Sequence, residues 1–523
     1  MNQFNDQLYK TKLSLCLKIS IFATGCSGIV AEFVLSTLAT YLKGNAVFQW
    51  TIVMSFMLFA MGIGSRISRY LQHNLLDQFI GVEFLLSLLC ASSAIISYAL
   101  AAYLQNIHLL IYLLGSFIGI LIGMEIPLVT RMNESYEELR MNISGVMEND
   151  YYGALVGGLL FAFIALPFLG LTYSPIVLGS INLLVATYLL WQFYSIVRYK
   201  LLLFLTCVSL FICIGLMTIY AKPIIRFGEQ SKYKDKIIYE KQTRYQKIVI
   251  TKWRHYYWLY LNGQQQFSTY DEEKYHEPLV HPAMQLSLYR QKILVLGGGD
   301  GLAVREILKY KDVQSIDLVD LDPDMTLLAQ NHDLLLMINQ GALNDSRVTI
   351  YNQDAMTFLK HQESKYDVVI VDLPDPDTVD MIHVYSLSFY QMIHHALAKG
   401  GVMVTQATSP YFSNQAFLCI LKTISHASFC AIPYHMHIPT MGEWAWILGC
   451  KKNDMRESQL KDILMKLSFD NVSTVFINQS AMISMLHFGK GIVDTDRIEK
   501  LKINATDTPI IHQYYQNGSW GVY

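Results

Sequence analysis

The first 221 residues contain a succession of long apolar segments, and this feature restricts the possible folds more than any other. A helix needs about 20 apolar residues to cross the bilayer core, and the segments are almost free of charge and closely spaced. Overall, 52% of the chain is hydrophobic and the mean hydropathy is +0.28, which is high for a soluble protein. Helices buried in a large soluble core explain such runs less well, so we predict about seven transmembrane helices, at residues 15–41, 46–64, 79–103, 107–130, 151–172, 174–197 and 201–221.

Acidic residues interrupt these apolar segments at a few positions. Glu32 lies in the first segment and Glu125 near the end of the fourth, while Glu148 and Asp150 lie beside a glycine-rich run. Intramembrane acids are costly and are functional candidates by default. Hydrogen bonding between helices is the simpler explanation, so transport is a minor hypothesis at this point.

A glycine turn, Gly297-Gly298-Gly299-Asp300-Gly301, lies between the apolar run 293–296 and a helical pattern at 302–310. This order predicts the first β-turn-α unit of a nucleotide-binding α/β sheet. A pyrophosphate would need the free amides of the helix N-terminus, whereas Asp300 would repel phosphate and attract a cation. The expected ligand is therefore a nucleoside that carries positive charge.

An acid also follows each of three later apolar runs. These acids are Asp320, Asp354 and Asp372, and Asp372 begins the sequence Asp-Leu-Pro-Asp-Pro-Asp. Ligands of open α/β sheets bind at the carboxyl ends of the strands, so we expect these acids and Asp375 to share one crevice. Asp320 is placed to accept ribose hydroxyls and Asp354 to contact an adenine amino group. Taken alone, the Asp-Pro run is typical of an ordinary strand-ending turn.

Residues 223–285 alternate apolar and polar side chains and contain a turn at Asn262-Gly263. This pattern predicts a small antiparallel β domain. The chain is thus divided into a transmembrane domain at 1–222, a β-rich domain at 223–285 and a Rossmann-like, methyltransferase-type α/β domain at 286–523 that includes the C-terminal tail.

The second half resembles the polyamine aminopropyltransferases, the spermidine synthase family, over roughly residues 235 to 450. The residues that carry the resemblance occur in the family's order: Tyr245-Gln246, Leu261-Asn262-Gly263, Gln266, Asp271-Glu272, Tyr275-His276-Glu277, His281-Pro282, the glycine turn, Asp372 to Pro376, Tyr385-Ser386 and Phe389-Tyr390. The membrane-fused bacterial type of the family has an N-terminal multi-span domain of this kind.

The resemblance implies a set of site residues and a co-substrate, decarboxylated S-adenosylmethionine, without a separate cofactor or metal. The family's catalytic residues match Asp372, as the base, and Tyr275. Its donor-binding residues match Gln246, Gln266, Gly297, Gly299, Asp300, Asp320, Asp354 and Ala355, and its amine-binding residues match His276, Asp300, Asp375 and Gln406. The family's small β domain covers the active site and helps to form dimers, so a homodimer is compatible with the resemblance.

The implied reaction is an in-line displacement in which a neutral amine attacks the aminopropyl carbon beside the sulfonium. The leaving group, methylthioadenosine, is a neutral thioether, so no general acid is needed. A free alkylamine has a pKa near 10 and is almost wholly charged at neutral pH. The expected chemical difficulty is therefore removal of the amine proton, which is assigned to Asp372 with Tyr275 as its hydrogen-bonding helper.

Two departures from the family pattern bear on the substrates. Asp320 stands where the family usually has Glu, and Met441 stands where soluble members generally have a Tyr that helps to hold the diamine. A thioether cannot donate that hydrogen bond. Putrescine is the leading acceptor, and another amine remains open.

Two other functions compete with aminopropyl transfer. Methyl transfer from intact S-adenosylmethionine is disfavoured by Asp300, which would repel the donor's carboxylate. A non-catalytic membrane sensor or carrier is disfavoured by the presence of both Asp372 and Asp375. A net charge of −2 without a basic block argues against nucleic-acid binding, and no Cys/His cluster has zinc spacing.

The distribution of basic residues predicts a membrane topology that conflicts with the expected location of the catalytic half. Basic residues cluster before the first span and after the second, fourth and sixth, at Lys10, Lys12, Lys18, Arg66, Arg69, Arg131, Arg140, Arg198 and Lys200. The positive-inside rule places these segments in the cytoplasm, and an odd number of spans would then put the catalytic half outside. Because the donor is made in the cytosol, we expect a multi-pass inner-membrane protein with a cytoplasmic catalytic half and a re-entrant or split segment around Met147–Asp150.

Overall fold

The computed structural model of the chain describes residues 2–43, 46–101, 103–104, 106–134, 136–230, 232–451 and 455–520. The side chains of residues 2–13, 42–43 and 46–47, and with them the charges predicted at Lys10 and Lys12, lie outside the description, as do residues 521–523 of the tail. The chain divides into two compact units, Met1–Lys234 and Asp235–Tyr523, and each is described by itself.

The first unit is helical. It consists of α1 (Asn2–Lys43), α2 (Ala46–Ser68), α3 (Leu75–Ala101), α4 (Ile107–Asn133), α5 (Leu139–Leu160), a π-helical segment (Phe161–Leu169), α6 (Gly170–Gln192) and α7 (Lys200–Gln230). Six helical stretches in the described residues are long and apolar enough to cross a membrane: Ser14–Tyr41, Phe48–Ser68, Leu75–Ala101, Ile107–Asn133, Leu139–Gln192 and Lys200–Gln230. The prediction was about seven spans, and the difference arises because Leu139–Gln192 covers the predicted span 151–172 and most of the predicted span 174–197.

The stretch Leu139–Gln192 is 54 residues long and is irregular at its middle. Pro167 lies in the π-helical segment, where its missing N–H and its ring disturb the regular α-helical ladder. Gly170 follows with φ of 61° and ψ of −169°, a backbone conformation that residues with a side chain rarely adopt. The helical backbone before and after residue 170 is therefore not one continuous α-helix.

Glycine residues bring the backbones of these helices close together. Gly115, Gly119 and Gly123 recur at every fourth residue of α4, which places them on one face of the helix. A Cβ atom would lie 2.8 Å from the Met57 carbonyl oxygen if added at Gly119, and 2.0 Å from the Met61 carbonyl oxygen if added at Gly123. Because lipid tails are as apolar as the helices, close packing of small residues is a principal force between membrane helices.

The second unit begins with a small antiparallel sheet in the order β1-β2-β3-β4. Its strands are β1 (Lys236–Gln242), β2 (Lys247–Trp253), β3 (Tyr256–Leu261) and β4 (Gln264–Ser268). This confirms the predicted β-rich element. The region 223–285 nevertheless begins and ends in helix, since α7 continues to Gln230 and α8 covers Glu273–Leu286.

A seven-stranded sheet forms the core of this unit, in the order β10-β11-β9-β8-β5-β6-β7. Its strands are β5 (Lys292–Gly297), β6 (Ser315–Asp320), β7 (Val348–Asn352), β8 (Tyr366–Asp372), β9 (Leu397–Gln406), β10 (Phe429–Ile438) and β11 (Gly442–Lys451). The neighbours from β9 to β7 are parallel, whereas β10 and β11 are antiparallel. The predicted Rossmann-like class is thus confirmed.

Helices accompany this sheet between and after its strands. They are α9 (Leu302–Leu308), α10 (Pro323–Asn331), α11 (Asp333–Asn339), α12 (Ala355–Lys360), α13 (Leu387–Ala396), α14 (Asn414–His426), α15 (Glu457–Leu464), α16 (Gln479–Met485), α17 (Thr495–Lys500) and α18 (Ile511–Gln516). Strands β5 and β8 are buried over most of their length, as expected of parallel strands covered on both faces. This arrangement places the ends of β5, β6, β8 and β9 at one edge of the sheet.

The close contact of α4 with α2 leads to a stability prediction. We expect Gly123→Ala to lower the free energy of unfolding by about 1–3 kcal/mol, the usual cost of overpacking, because the new Cβ would meet the Met61 backbone. The matched control is Gly215→Ala in α7, where an added Cβ meets no atom within 4 Å and Ala is the better helix former. Thermal unfolding of both variants in detergent tests this, and equal melting temperatures would contradict it.

Candidate active site

The glycine turn after β5 lies directly against the end of β8. Gly297 pairs with Asp372 in the sheet register, and the Gly298 N–H donates to the Asp372 carbonyl oxygen at 3.0 Å. Gly297 has φ of 82°, and a Cβ at this position would lie 2.1 Å from the same oxygen. Only glycine fits there, and this contact brings the acid of the turn close to the acid of β8.

Asp300 occupies the turn with its carboxylate half-buried. Its Oδ1 accepts a hydrogen bond from the Leu302 N–H at 2.9 Å, and its carbonyl oxygen accepts one from Asn339 at 3.0 Å. Burial raises the pKa of Asp300, although the nearby His276 opposes this effect. The carboxylate therefore has one backbone donor and lies among other charged groups.

Asp320, at the end of β6, holds the glycine turn in place. Its Oδ2 accepts from the Gly299 N–H at 3.0 Å and its Oδ1 from the Asp322 N–H at 2.9 Å. Burial raises the pKa of Asp320 to about 6, although these backbone hydrogen bonds partly offset the shift. The residue expected at the ribose thus also determines the conformation of the loop that contains Asp300.

Asp372 and Tyr275 form the central pair of the site. The Tyr275 hydroxyl donates to Asp372 Oδ1 at 2.7 Å, and Tyr275 is only 6% exposed, with the rings of Trp444 and Trp446 centred 6.3 and 5.7 Å away. Burial raises the pKa of Asp372 to about 6 despite the opposing effect of His276. Burial and the adjacent Asp372 also raise the pKa of Tyr275, so the tyrosine stays a neutral donor.

His276 lies next to Tyr275 on α8 and brings positive charge to the site. Burial alone would lower the pKa of His276, but Glu272 raises it to about 8, with Asp300 and Asp372 contributing. The His276 Nδ1 lies 2.9 Å from Glu272 Oε2, and Arg305 pairs with the Glu272 carboxylate at 2.8 Å. Glu272 and Arg305 were not assigned a role from the sequence, and the charge that they stabilise on His276 depends on tertiary contacts.

Asp375 forms a second group of polar contacts with the end of β9. It is 5% exposed and accepts hydrogen bonds from Gln406 Nε2 at 3.2 Å and from Thr408 Oγ1 at 3.1 Å. Burial raises the pKa of Asp375 to about 7, although hydrogen bonds from Tyr515, Gln406 and Thr408 counteract it. Gln406 also donates to the Leu373 carbonyl oxygen at 2.8 Å, so it fixes the loop as well as the acid.

Tyr515 is the main residue of this site that the sequence analysis missed. It lies on α18, whose His512 ring nitrogen is 3.1 Å from the Pro376 carbonyl oxygen and whose Gln516 donates to the Asp377 carbonyl oxygen at 3.1 Å. These contacts place the tail helix against the acidic loop. The sequence offered no signal for this beyond the aromatic character of a segment to which no role was assigned.

The remaining predicted residues lie around this centre with other partners. Asp354 caps α12 through the Thr357 N–H at 2.8 Å and contacts His383 at 3.1 Å, and although burial alone would raise the pKa of Asp354, these hydrogen bonds lower it. Ala355, the first residue of α12, is 6% exposed. Gln246 donates to Asp322 at 2.9 Å, and Gln266 donates to the Gln264 carbonyl oxygen at 3.3 Å.

Met441 lies in the turn between β10 and β11, where its neighbour is firmly held. Asp271 accepts hydrogen bonds from both the Thr440 N–H and the Thr440 hydroxyl at 2.8 Å. Met441 itself packs against the apolar core of the unit. The turn is therefore ordered by Asp271, while Met441 contributes only apolar contact.

One further acidic and histidine cluster lies on α8 and α9 and has a structural role. Glu277, His281 and Glu306 lie close enough to hold an ion, but their ligand atoms have protein partners. Glu277 accepts from the backbone N–H groups of residues 475–477 at 2.6 to 2.8 Å, and His281 bridges Glu306 and Tyr310 at 2.9 Å each. This cluster fastens α8 to the rest of the unit and so fixes Tyr275 and His276.

Comparison with known proteins gives matches over both units. The family model for the spermine/spermidine synthase domain matches residues 272–462. The chain is 41% identical to polyamine aminopropyltransferase 2 of Aquifex aeolicus over 96% of this chain and 99% of that protein, and 34% identical to the polyamine aminopropyltransferase of Leptospira interrogans over 96% and 98%. The crystal structure of spermidine synthase from Thermotoga maritima is 23% identical and covers 50% of this chain and 88% of that chain, with a TM-score of 0.44.

The buried Asp375 generates a pH-dependence prediction. The pKa of Asp375 is raised to about 7 in the folded state, against about 4 in an unfolded chain. The folded state therefore holds the proton of this carboxyl more tightly, and the stability linked to the neutral carboxyl is fully present below pH ~4. The effect is lost as the pH rises through about 7, a loss on the order of a few kcal/mol. We expect Asp375→Asn, which stays neutral, to reduce the fall in melting temperature between pH 4 and 8.

The control for this experiment is Asp507→Asn, which removes an exposed acid. It should leave the pH dependence of the melting temperature as in the unmodified chain. Identical pH profiles for the Asp375→Asn variant and the unmodified chain would contradict the assignment.

Proposed function

This chain belongs to the polyamine aminopropyltransferase family and is an aminopropyltransferase, and on that basis we propose that it makes spermidine at a membrane. The proposed donor is decarboxylated S-adenosylmethionine and the proposed acceptor is putrescine. The observation that carries the proposal is the 2.7 Å hydrogen bond from the buried Tyr275 to Asp372, next to the glycine turn that contains Asp300.

Asp372 is the proposed base. Its pKa of about 6 lies about two pH units closer to that of an alkylammonium than the pKa of an exposed aspartate does. A proton passes from the ammonium nitrogen of the acceptor to Asp372, and the electron pair freed on that nitrogen then forms the bond to the aminopropyl carbon. The carbon–sulfur bond breaks with its electron pair going to sulfur, so the positive sulfonium becomes neutral methylthioadenosine. Tyr275 donates a hydrogen bond to the base and holds it in position.

Asp300 is the proposed selector of the donor. A decarboxylated donor presents an ammonium and no carboxylate at its aminopropyl end, and an anionic Asp300 attracts the first while it would repel the second. The surrounding Asp320, Asp372 and Asp375 add negative potential, which suits a sulfonium and a polyamine. This charge pattern is the physical reason to prefer aminopropyl transfer over methyl transfer.

Asp375, Gln406 and Thr408 are the proposed acceptor site, with the Tyr515 hydroxyl near the same carboxylate. The distal ammonium of a diamine needs an anion and additional acceptors in a buried position. Met441 cannot supply a hydroxyl there, whereas Tyr515 carries one that hydrogen-bonds to Asp375. Putrescine is therefore retained as the acceptor.

The catalytic unit is proposed to face the cytoplasm from an inner membrane. The six apolar stretches support a membrane location, and six crossings would return the chain to the side of its basic N-terminal segment. A stretch of 54 residues would be about 80 Å long as a straight helix, which is long enough for two crossings. If the chain turns back at Gly170, the stretch crosses twice and the catalytic unit lies on the opposite side of the membrane. The number of crossings made by Leu139–Gln192 thus decides the orientation.

Removing the carboxylate of Asp372 tests the base. We expect Asp372→Asn to lower kcat by about 10²–10⁴, the usual contribution of a general base, with little change in donor affinity. Steady-state assays of spermidine and methylthioadenosine by mass spectrometry measure this, and Asp380→Asn, an exposed acid in the following segment, is the control. Turnover by Asp372→Asn close to that of the control would refute the assignment.

Asp300→Asn tests the donor. It keeps size and hydrogen bonding but removes a charge-assisted bond worth on the order of 1.5–3 kcal/mol. Affinity for decarboxylated S-adenosylmethionine should fall about ten- to a hundredfold, and affinity for S-adenosylmethionine should fall less or rise. The ratio of the two Kd values from calorimetry separates this effect from damage to the fold, and an unchanged ratio would show that Asp300 does not select the donor.

Reporter fusions test the orientation. A fusion after Lys234, the end of the first unit, should give a cytoplasmic signal. A fusion after Gln192, which lies before α7, should report the opposite side. A periplasmic signal after Lys234 would reverse the proposed orientation.

A further inference from the structure

Two glutamates of the first unit are buried without enough partners. Glu83 on α3 is 0% exposed, and Glu125 on α4 is 2% exposed. Within the described chain, both carboxylate oxygens of Glu83 and Oε1 of Glu125 have no hydrogen-bond partner. Bonding between helices, the simplest explanation for an intramembrane acid, therefore does not account for Glu83.

The two glutamates are neighbours. Glu83 and Glu125 are close enough to interact electrostatically, and Thr24 of α1 and Asp150 of α5 approach Glu125. Four helices thus contribute polar groups to one region inside the apolar unit. We call Glu83, Glu125 and the groups beside them the intramembrane acidic site.

A fifth helix supplies a further polar group without a partner. Asn182 on α6 is 0% exposed, and its Oδ1 accepts from Ser27 of α1 at 2.5 Å, whereas its Nδ2 has no partner in the described residues. Ser87 of α3 donates to the Gly179 carbonyl oxygen at 2.7 Å. Glu83 and Asn182 each lie within about one helical turn of that contact, so the amide belongs to the same region.

Two basic side chains of this unit, Lys18 and Arg131, have other partners. Lys18 pairs with Glu137 at 2.7 Å, and Arg131 donates to the carbonyl oxygens of Ser68 and Leu71 at 2.7 and 2.9 Å. A buried carboxylate without a counter-ion costs several kcal/mol. A bound cation with several N–H donors would satisfy the free oxygens of Glu83 and Glu125 and allow both groups to remain ionised.

We propose that the intramembrane acidic site binds a protonated alkylamine between Glu83 and Glu125. A primary ammonium has three N–H donors, which match the three carboxylate oxygens without partners among the described residues, and its alkyl chain suits the apolar surroundings. The choice of an alkylamine over other cations rests on the proposed function, because the second unit consumes and produces this class of molecule. The first unit would then hold a substrate or product of the enzyme in the membrane.

Photolabelling of the full chain tests the site. A photoreactive spermidine analogue is added to the protein in nanodiscs without the nucleoside donor, so that no turnover occurs, and labelled peptides are mapped by mass spectrometry. We expect labelled peptides from α3 and α4 in addition to those from the catalytic unit, with competition by unlabelled spermidine but not by sodium chloride at equal ionic strength. Labelling confined to residues 235–523, or competition by sodium chloride alone, would overturn the proposal.

Charge-removing variants supply the second measurement. Glu83→Gln with Glu125→Gln should reduce labelling of α3 and α4 about tenfold or more, since each charge-assisted hydrogen bond is worth roughly a factor of ten. Glu148→Gln, an exposed acid of the same unit, is the matched control and should label normally. Equal labelling in both variants would overturn the proposal.

The outcome that would refute the amine site of the first unit differs from the outcome that would refute aminopropyl transfer. Aminopropyl transfer is assayed on the same nanodisc preparation of the unmodified chain, after the nucleoside donor has been added. Transfer with no labelling of α3 and α4 would remove the intramembrane site and leave the proposed function. Labelling without transfer would remove the proposed function, and with it the reason to regard the bound amine as substrate or product.

Discussion

The cost of burying carboxylates governs this molecule more than any other interaction. In the second unit, Asp320, Asp372 and Asp375 are shielded from water enough to raise their pKa values to between about 6 and 7. Such an arrangement is unfavourable unless a cation, a proton or a hydrogen-bond donor offsets the repulsion. The fold supplies donors through the glycine turn, Tyr275 and Gln406. The negative charge that these donors leave unbalanced is the physical basis of the proposed preference for positively charged substrates. In the first unit, the carboxyl group of Glu83 is also buried, and neither of its oxygens has a hydrogen-bond donor among the described residues.

The sequence predicted those parts of the site whose signals are local. The glycine turn and the acids at strand ends follow from short runs of residues, because the carboxyl ends of parallel strands must meet at one edge. Glu272, Arg305 and Tyr515 were missed because their roles depend on contacts between residues far apart in the chain. Glu83 was missed for the same reason, since only packing of α3 against other helices shows that its carboxylate has no partner among the described residues. The span count differed because hydropathy cannot show that Gly170 and the π-helical segment lie within one helical stretch.

The turn at Met441, beside the proposed acceptor site, shows how one residue difference can leave a loop intact while changing its chemistry. Asp271 holds Thr440 through two hydrogen bonds of 2.8 Å, and these do not involve the side chain at 441. Met441 can therefore stand where the family resemblance leads us to expect a tyrosine, without altering the path of the backbone. The hydrogen bond that such a hydroxyl would supply is separate from those that Asp375 receives from Gln406, Thr408 and Tyr515, so the proposed anion for the acceptor amine keeps these donors.

The position of Tyr515 also bears on when the enzyme becomes competent during synthesis. The strands and helices that carry Asp300, Asp372 and Asp375 all precede α18 in the chain, and domains begin to fold while later residues are still being made. A nascent chain that ends before α18 can form the sheet, yet its acidic loop lacks the contacts from His512, Tyr515 and Gln516. Aminopropyl transfer would thus mature last, once α18 has been made and has packed against the acidic loop.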